Sequence, residues 1–277
     1  MNTLLRIAFA SALVASFEPI HGESPTVANA TKDAPFVNSL GMKFVPVPDT
    51  KILMCIHETR RADFAPFTKE SMGVDQMWKD WKIKNVNADR GDEYPVANVG
   101  WATAKQFCRW LTQKEQGSKH VFTYRLPTDL EWSCAVGIAK LENPTATFES
   151  KNTGIPDIFP WGNEWPPKTP VGNYADVKTT KIGFKRTIEG YDDGYVLTSP
   201  VMSYPPNQLG IYDLGGNVWE WCEDWADDSK KFRVLRGGSW GMDRKSAIQS
   251  CARIGVAPVG LLVNGQFGFR VVVTTEP

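Results

Sequence analysis

Histidine is nearly missing from this chain: three residues in 277, at His21, His57 and His120. With His21 in the N-terminal stretch expected to be cleaved, the two that remain cannot build a three-histidine zinc centre or a facial-triad iron site without other ligands. Cysteine is sparse and scattered, at Cys55, Cys108, Cys134, Cys222 and Cys251. None of the five stands in a C-x-x-C, so neither a zinc ribbon nor a dithiol redox pair is indicated. The odd count leaves at least one thiol free or paired between chains. Charge excess is absent as well. With 31 Lys plus Arg against 31 Asp plus Glu, no basic surplus steers the chain toward nucleic acid or an anionic membrane. Internal repeats and low-complexity tracts are also lacking.

Long apolar runs are missing too. Ile7–Phe17, behind Arg6, is too short to cross a bilayer and suits the core of a secretory signal peptide. The expected organisation is a signal peptide over residues 1–22, a polar linker over 23–35 and one domain over 36–277, with cleavage after Gly22 or Ala30. Such a protein is exported, to the periplasm or beyond, and makes no stable membrane insertion once the signal is removed. Disulfides persist in that compartment.

Aromatics and turn-formers are plentiful. The chain has 11 Trp, 23 Gly and 19 Pro, and 42% of its residues are hydrophobic. This composition predicts a compact, loop-rich fold with a sizeable core, not a helical bundle, and the expected class is α+β. MKFVPVP (42–48) reads as an edge strand interrupted by prolines. HETRRADFAPFTKE opens a helix, and residues 71–94 read as a polar loop with a short helix. In WATAKQFCRWLTQKE (101–115), Ala104, Phe107, Cys108 and Leu111 recur at helical spacing. Thr128 and Glu131 form a capping box ahead of the next helix. Residues 141–210 show few periodic runs over a length unusual for a loop. Their aromatics argue against disorder, so bound metal is a natural organiser. QFGFRVVV closes the chain as a strand.

GGSWG (237–241) has the letters of a serine nucleophile elbow. A hydrolase needs a base within reach of Ser239, yet every histidine precedes it and the alternating strand–helix pattern is missing. The alternative is a tight glycine turn capped by Ser239. In DLGGNVWEW (213–221), Asp213, Asn217 and Glu220 surround a Gly-Gly turn that exposes carbonyls, an oxygen-rich set of the kind calcium takes.

Taken together, NSLGMKFVPVP, ETRRADFAPF, YPVANVGWATAKQFCRWL, RLPTDLEW, FPWGN, GIYDLGGNVWEW, LRGGSW and GFRVV stand in one order over residues 36–275. This order resembles the formylglycine-generating enzyme, or sulfatase-modifying factor, family. The resemblance implies a variant of the C-type lectin fold with little regular secondary structure. It implies two calcium sites: Asn173, Tyr174, Asp193 and Tyr195 in one, and Asp213, Gly216, Val218 and Glu220 in the other. It implies a Cys134–Cys251 disulfide, while the family partner of Cys108 is replaced by Val271. Ser239 and Trp219 match pocket residues. Active members hold copper with two cysteines; here those positions are Met242 and Ala247, and alanine cannot stand in for a thiolate.

Copper-dependent formylglycine generation is therefore not expected. The expected role is a calcium-stabilised binding module for a peptide, glycan or partner protein. The alternative is a different, oxidoreductase-like chemistry in the same pocket, as in relatives from siderophore maturation, with Asp243 or Arg244 as acid–base or anion-holding groups. A genuine formylglycine-generating oxidase ranks last.

Overall fold

Local rules set the helices. Thr128 accepts the Glu131 amide at 3.1 Å while the Glu131 carboxylate accepts the Thr128 amide at 2.8 Å, closing the capping box. Glu131 also takes a two-point grip from Arg125. The computed structural model describes residues 25–87, 91–115, 122–258 and 265–274. Residues 1–24, and with them the expected signal peptide, lie outside the described residues.

In chain order the elements are β1 (Phe36–Val37), β2 (Lys43–Pro46), β3 (Ile52–Cys55), α1 (Arg61–Glu70), β4 (Lys82–Ile83), β5 (Val86–Asn87), α2 (Trp101–Glu115), β6 (Thr123–Arg125) and α3 (Asp129–Val136). They continue with α4 (Phe148–Thr153), β7 (Trp219–Trp225), β8 (Arg233–Arg236), α5 (Lys245–Ile248), β9 (Arg253–Val256), β10 (Phe267–Gly268) and β11 (Val272–Thr274). One sheet runs β1-β2-β3-β11-β6 and a second runs β10-β7-β8-β9, so the mixed, loop-rich α+β class holds.

Several expectations need correction. β2 lies inside its sheet, between β1 and β3, and not at an edge. Pro46 is tolerated there because it is the last residue of the strand, opposite Leu53. Residues 82–87 form a two-stranded hairpin where a short helix was expected. The closing QFGFRVVV is two strands in two sheets: β10 pairs parallel with β7, and β11 sits between β3 and β6. The 23–35 stretch is not a free tether in its described part, since Val27 and Ala30 pack on the main core and the Lys32 ammonium donates to the Gln208 carbonyl.

α2 buries the expected face: Ala104, Phe107, Cys108 and Leu111, with Thr112. Phe107 meets Phe64 and Phe67 of α1 and Phe269 of the β10–β11 crossover, with ring centroids 5.4–5.7 Å apart. Each buried Phe contributes roughly 1.5–3 kcal/mol through removal from water.

The cysteines are all free thiols. The expected Cys134–Cys251 bridge is not formed. Cys134 is half-buried on α3, whereas Cys251 is buried with its thiol donating to the Ile155 carbonyl at 3.2 Å.

Residues 141–210 are held mostly by buried polar contacts. The Tyr191 hydroxyl accepts the Val171 and Gly172 amides and donates to the Gly172 carbonyl. Asp176 accepts the Lys178 and Thr179 amides on one oxygen and the Asp193 amide on the other. Satisfied buried groups of this kind replace the ladders of regular structure.

Candidate functional site

Two glycine turns meet at the centre of the molecule. The first, 213–217, carries Asp213 and Asn217 at positive φ (54° each), with Gly216 at 85°. A Cβ on Gly216 would sit 2.3 Å from the Asn173 carbonyl oxygen, so only glycine fits. The Gly216 amide donates to the Gly237 carbonyl, and the Asn217 amide donates to the Asn173 carbonyl. Asn217 therefore joins the two turns and the 173–199 loop. Its side chain accepts the Ser199 amide and donates to the Glu58 carboxylate at 2.7 Å, and its carbonyl accepts the Trp240 amide.

The second turn follows β8. Arg236, fully buried, anchors its start: the guanidinium pairs with Asp129 and donates to the Ser250 and Ala252 carbonyls. Gly237 and Gly238 then take φ of 93° and 79°. Ser239 is wholly buried, and its hydroxyl donates to the Gln266 amide oxygen at 2.9 Å instead of capping the turn. The Gln266 carbonyl in turn accepts the Trp219 amide at 2.7 Å. Gln266 thus couples the two expected pocket residues, Ser239 and Trp219. Sequence reasoning missed it because nothing local marks the glutamine; its meaning comes from the parallel pairing of β10 with β7.

Met242 and Ala247 both approach the second glycine of this turn, Met242 by its side chain and Ala247 by its carbonyl. A Cβ built on Gly238 would lie 3.3 Å from the Ala247 carbonyl oxygen and 3.8 Å from the Met242 Cγ. Neither side chain there is a thiolate. Asp243 pairs with Arg186 at 3.1 Å, and Arg244 is exposed on the loop ahead of α5.

The hydrolase reading fails on geometry. The helix after the turn begins only at Lys245, so no strand–turn–helix elbow exists. The His57 ring bonds the Glu58 carbonyl at 2.7 Å and lies 3.9 Å from the Cys55 thiol. Burial holds His57 below its ordinary pKa. His120 lies outside the described residues.

The first calcium set is oxygen-rich. The Asn173 amide nitrogen donates to the Leu197 carbonyl, which fixes the side chain, while its Oδ1 is buried without a donor. Asp193, also buried, accepts the Tyr174 amide at 2.8 Å and the Tyr195 amide at 2.9 Å, and forms no ion pair among the described residues. Burial, reinforced by the neighbouring Asp176 and Asp192 charges, pushes its pKa up to about 7. An orphaned amide oxygen beside an uncompensated carboxylate fits a hard cation.

The second set does not fit as it stands. Asp213 has an unpartnered, buried Oδ1, and burial raises its pKa to about 6. Glu220, however, is fully committed. Arg270 donates to both of its oxygens and the Trp132 indole donates to Oε2. A guanidinium already stands where a dication would draw on Glu220, and the two cations would repel. Glu58, bonded to Asn217 and to the Val218 amide, adds a third carboxylate; burial and the charges of Asp213 and Glu220 raise its pKa. The sequence motif HET gave no sign of that role.

A cavity of about 750 Å³ opens elsewhere, among Cys134, Phe159, Trp161, Pro205 and Leu209. It reaches Asp213 and Gly215 from the far side, and neither Ser239 nor Trp219 lines it.

Residues 26–275 match the family model of the sulfatase-modifying factor enzyme 1-like domain. The formylglycine-generating enzyme of Mus musculus is 34% identical over 163 residues, covering 53% of this chain and 35% of that protein. The inactive C-alpha-formylglycine-generating enzyme 2 of Bos taurus is 31% identical over 158 residues, covering 53% of this chain and 39% of that protein. The matched stretch is thus little more than a third of either relative's length. Among solved structures, PvdO from Pseudomonas aeruginosa superposes with a TM-score of 0.56 at 22% identity, over 80% of each chain. CarF superposes with a TM-score of 0.53 at 21% identity, over 80% of this chain and 86% of that one. These likenesses, the motif order and the paired glycine turns converge, and the chain belongs to the sulfatase-modifying factor enzyme 1-like domain family.

Proposed function

We propose that this protein is a binding module on the sulfatase-modifying factor scaffold, exported from the cytoplasm, which does not generate formylglycine. It recognises a peptide, glycan or partner protein where the family resemblance places a pocket, around Ser239, Gln266 and Trp219. One observation carries the reading: the two positions that the resemblance matches to the family's copper thiolates hold Met242 and Ala247, and the Met242 side chain and Ala247 carbonyl both approach Gly238. A thioether and a methyl group cannot supply two thiolates. A relative whose name states that it is inactive supports the separation of scaffold from catalysis in this family. The pairing of Asp243 with Arg186 weighs against the competing reading that Asp243 serves as an acid or base.

Calcium belongs to the same reading. Asn173 Oδ1, the Tyr174 and Tyr195 carbonyls and the Asp193 carboxylate would hold it, and it would neutralise the buried charge and stabilise the long loop. The direct test is incubation with copper and a C-x-P-x-R peptide, followed by mass spectrometry. The peptide should return unchanged. The mass loss that accompanies conversion of its cysteine to formylglycine would overturn the proposal.

A further inference from the structure

The charges balance in number but not in space. Residues 82–87 and 181–186 contain five cations, Lys82, Lys84, Lys181, Lys185 and Arg186, and no carboxylate. The fold presses these two segments together. The Lys84 ammonium lies against Gly183, where a Cβ would meet its Nζ at 1.9 Å. Lys82, Lys84, Lys181 and Lys185 are all exposed, and no ion pair holds any of them among the described residues. Their neighbour Arg186 is already paired with Asp243, and Lys178 with Asp192.

This basic surface adjoins the pocket through two aromatic contacts. Trp81, next to Lys82, packs its ring on Gly265, the residue before Gln266. Phe184, next to Lys185, stands 5.7 Å from the ring of Trp240, the residue after Ser239.

We infer that the lysine surface formed by Lys82, Lys84, Lys181 and Lys185 docks an acidic polypeptide segment beside the pocket. The inference rests on the binding-module reading and names the partner's chemistry. Four unpaired like charges lower the potential energy of an approaching polyanion and raise its encounter rate. The uncommitted cations are all lysines. An ammonium is a point charge that meets a carboxylate equally well from many directions, so the side chains of a flexible acidic segment need no fixed geometry to engage it. The one arginine of the two segments is taken by Asp243. Ile83 and Phe184 lie half-buried between the lysines and give apolar side chains of a polypeptide a place to rest.

The test is fluorescence anisotropy on the full chain with a fluorescein-labelled alternating Glu-Ala peptide, beside labelled heparin fragments and single-stranded DNA. The four-fold charge reversal Lys82→Glu, Lys84→Glu, Lys181→Glu, Lys185→Glu is compared with a reversal of equal net charge at Lys43, Lys69, Lys230 and Lys231. Near-UV circular dichroism confirms that both variants are folded. The wild type should bind the peptide with salt-dependent affinity, the patch variant should bind about tenfold or more weakly, and the control should stay within about twofold. Absence of wild-type binding, or equal loss in both variants, overturns the inference. So does tighter binding of heparin or DNA than of the peptide. Gln266→Leu separates this claim from the one it rests on. Loss in Gln266→Leu without loss in the patch variant removes the patch and leaves the pocket, and the converse removes the pocket and leaves the patch.

Discussion

Arg270 holds both carboxylate oxygens of Glu220, fifty residues earlier in the chain, at 2.7–3.1 Å. The same guanidinium donates to the Cys55, Tyr212 and Asp213 carbonyls, so one side chain ties β3, β7, the Gly-Gly turn and the β10–β11 crossover. Both partners are inaccessible to water. Arg270→Met should destabilise the fold by about 3–5 kcal/mol, because it leaves a buried carboxylate beside Glu58 and Asp213 with no counter-ion. Denaturant titration measures this; a loss under about 1 kcal/mol would mean that the pair is open to solvent.

Asp193 ties calcium to pH. Its folded pKa, about 7, stands above the ordinary carboxylate value of 3.8. Without a cation, the native state therefore holds this proton more tightly than the unfolded chain. The contribution of this proton to stability is then greatest below about 4 and is lost as pH rises to about 7. Calcium requires the ionised form, so its effect should grow through the same window. At pH 8, calcium at a hundred times its Kd should add about 2.7 kcal/mol, seen as a raised Tm. At pH 5 the shift should nearly vanish, and Asn173→Leu should remove it at both. A Tm indifferent to calcium and to EDTA at pH 8 would refute the site.

His57 gives the opposite slope. Burial lowers its pKa from 6.5. Below that value the unfolded chain takes up a proton that the native state refuses, so stability contributed by the neutral ring is present above about 6.5 and is lost as pH falls. His57→Gln should flatten this arm of the stability–pH curve. An unchanged arm would assign the acid sensitivity to other groups.

Restoring the thiolates tests what the pocket lost. Met242→Cys/Ala247→Cys returns thiols to both positions near Gly238, which the Met242 side chain and the Ala247 carbonyl already approach. Two thiolates favour copper(I) strongly. The double variant should bind copper(I), measured by competition with a chromogenic chelator, while the wild type and either single variant should bind far more weakly. Equal affinity in all four proteins would show that the pocket is not the copper locus of this scaffold.

Local sequence was informative where local physics decides. The α3 capping box needs only Thr128 and Glu131, three residues apart, and the buried stripe of α2 needs only its own period. The Gly-Gly turn was legible for a similar reason, since the close approach of Asn173 to Gly216 admits no Cβ. The place of β2 was not legible. Prolines at 46 and 48 look like edge markers, but the strand order depends on β11, more than two hundred residues away. The pairing of Ser239 with Gln266 was hidden too, because a polar residue in a loop carries no sign of its partner until two strands align.

From the sequence alone came the family motifs, the limits of α2 and the absence of cysteine at positions 242 and 247, because each is written in residue identity or short spacing. Only the tertiary structure decided that Glu220 answers to Arg270, that the five cysteines are free, and that a chain of zero net charge brings two lysine-bearing segments together with no ion pair on their four lysines among the described residues. Those outcomes depend on which distant groups share a buried volume or an exposed face, and electrostatic interaction follows distance in space, not separation along the chain.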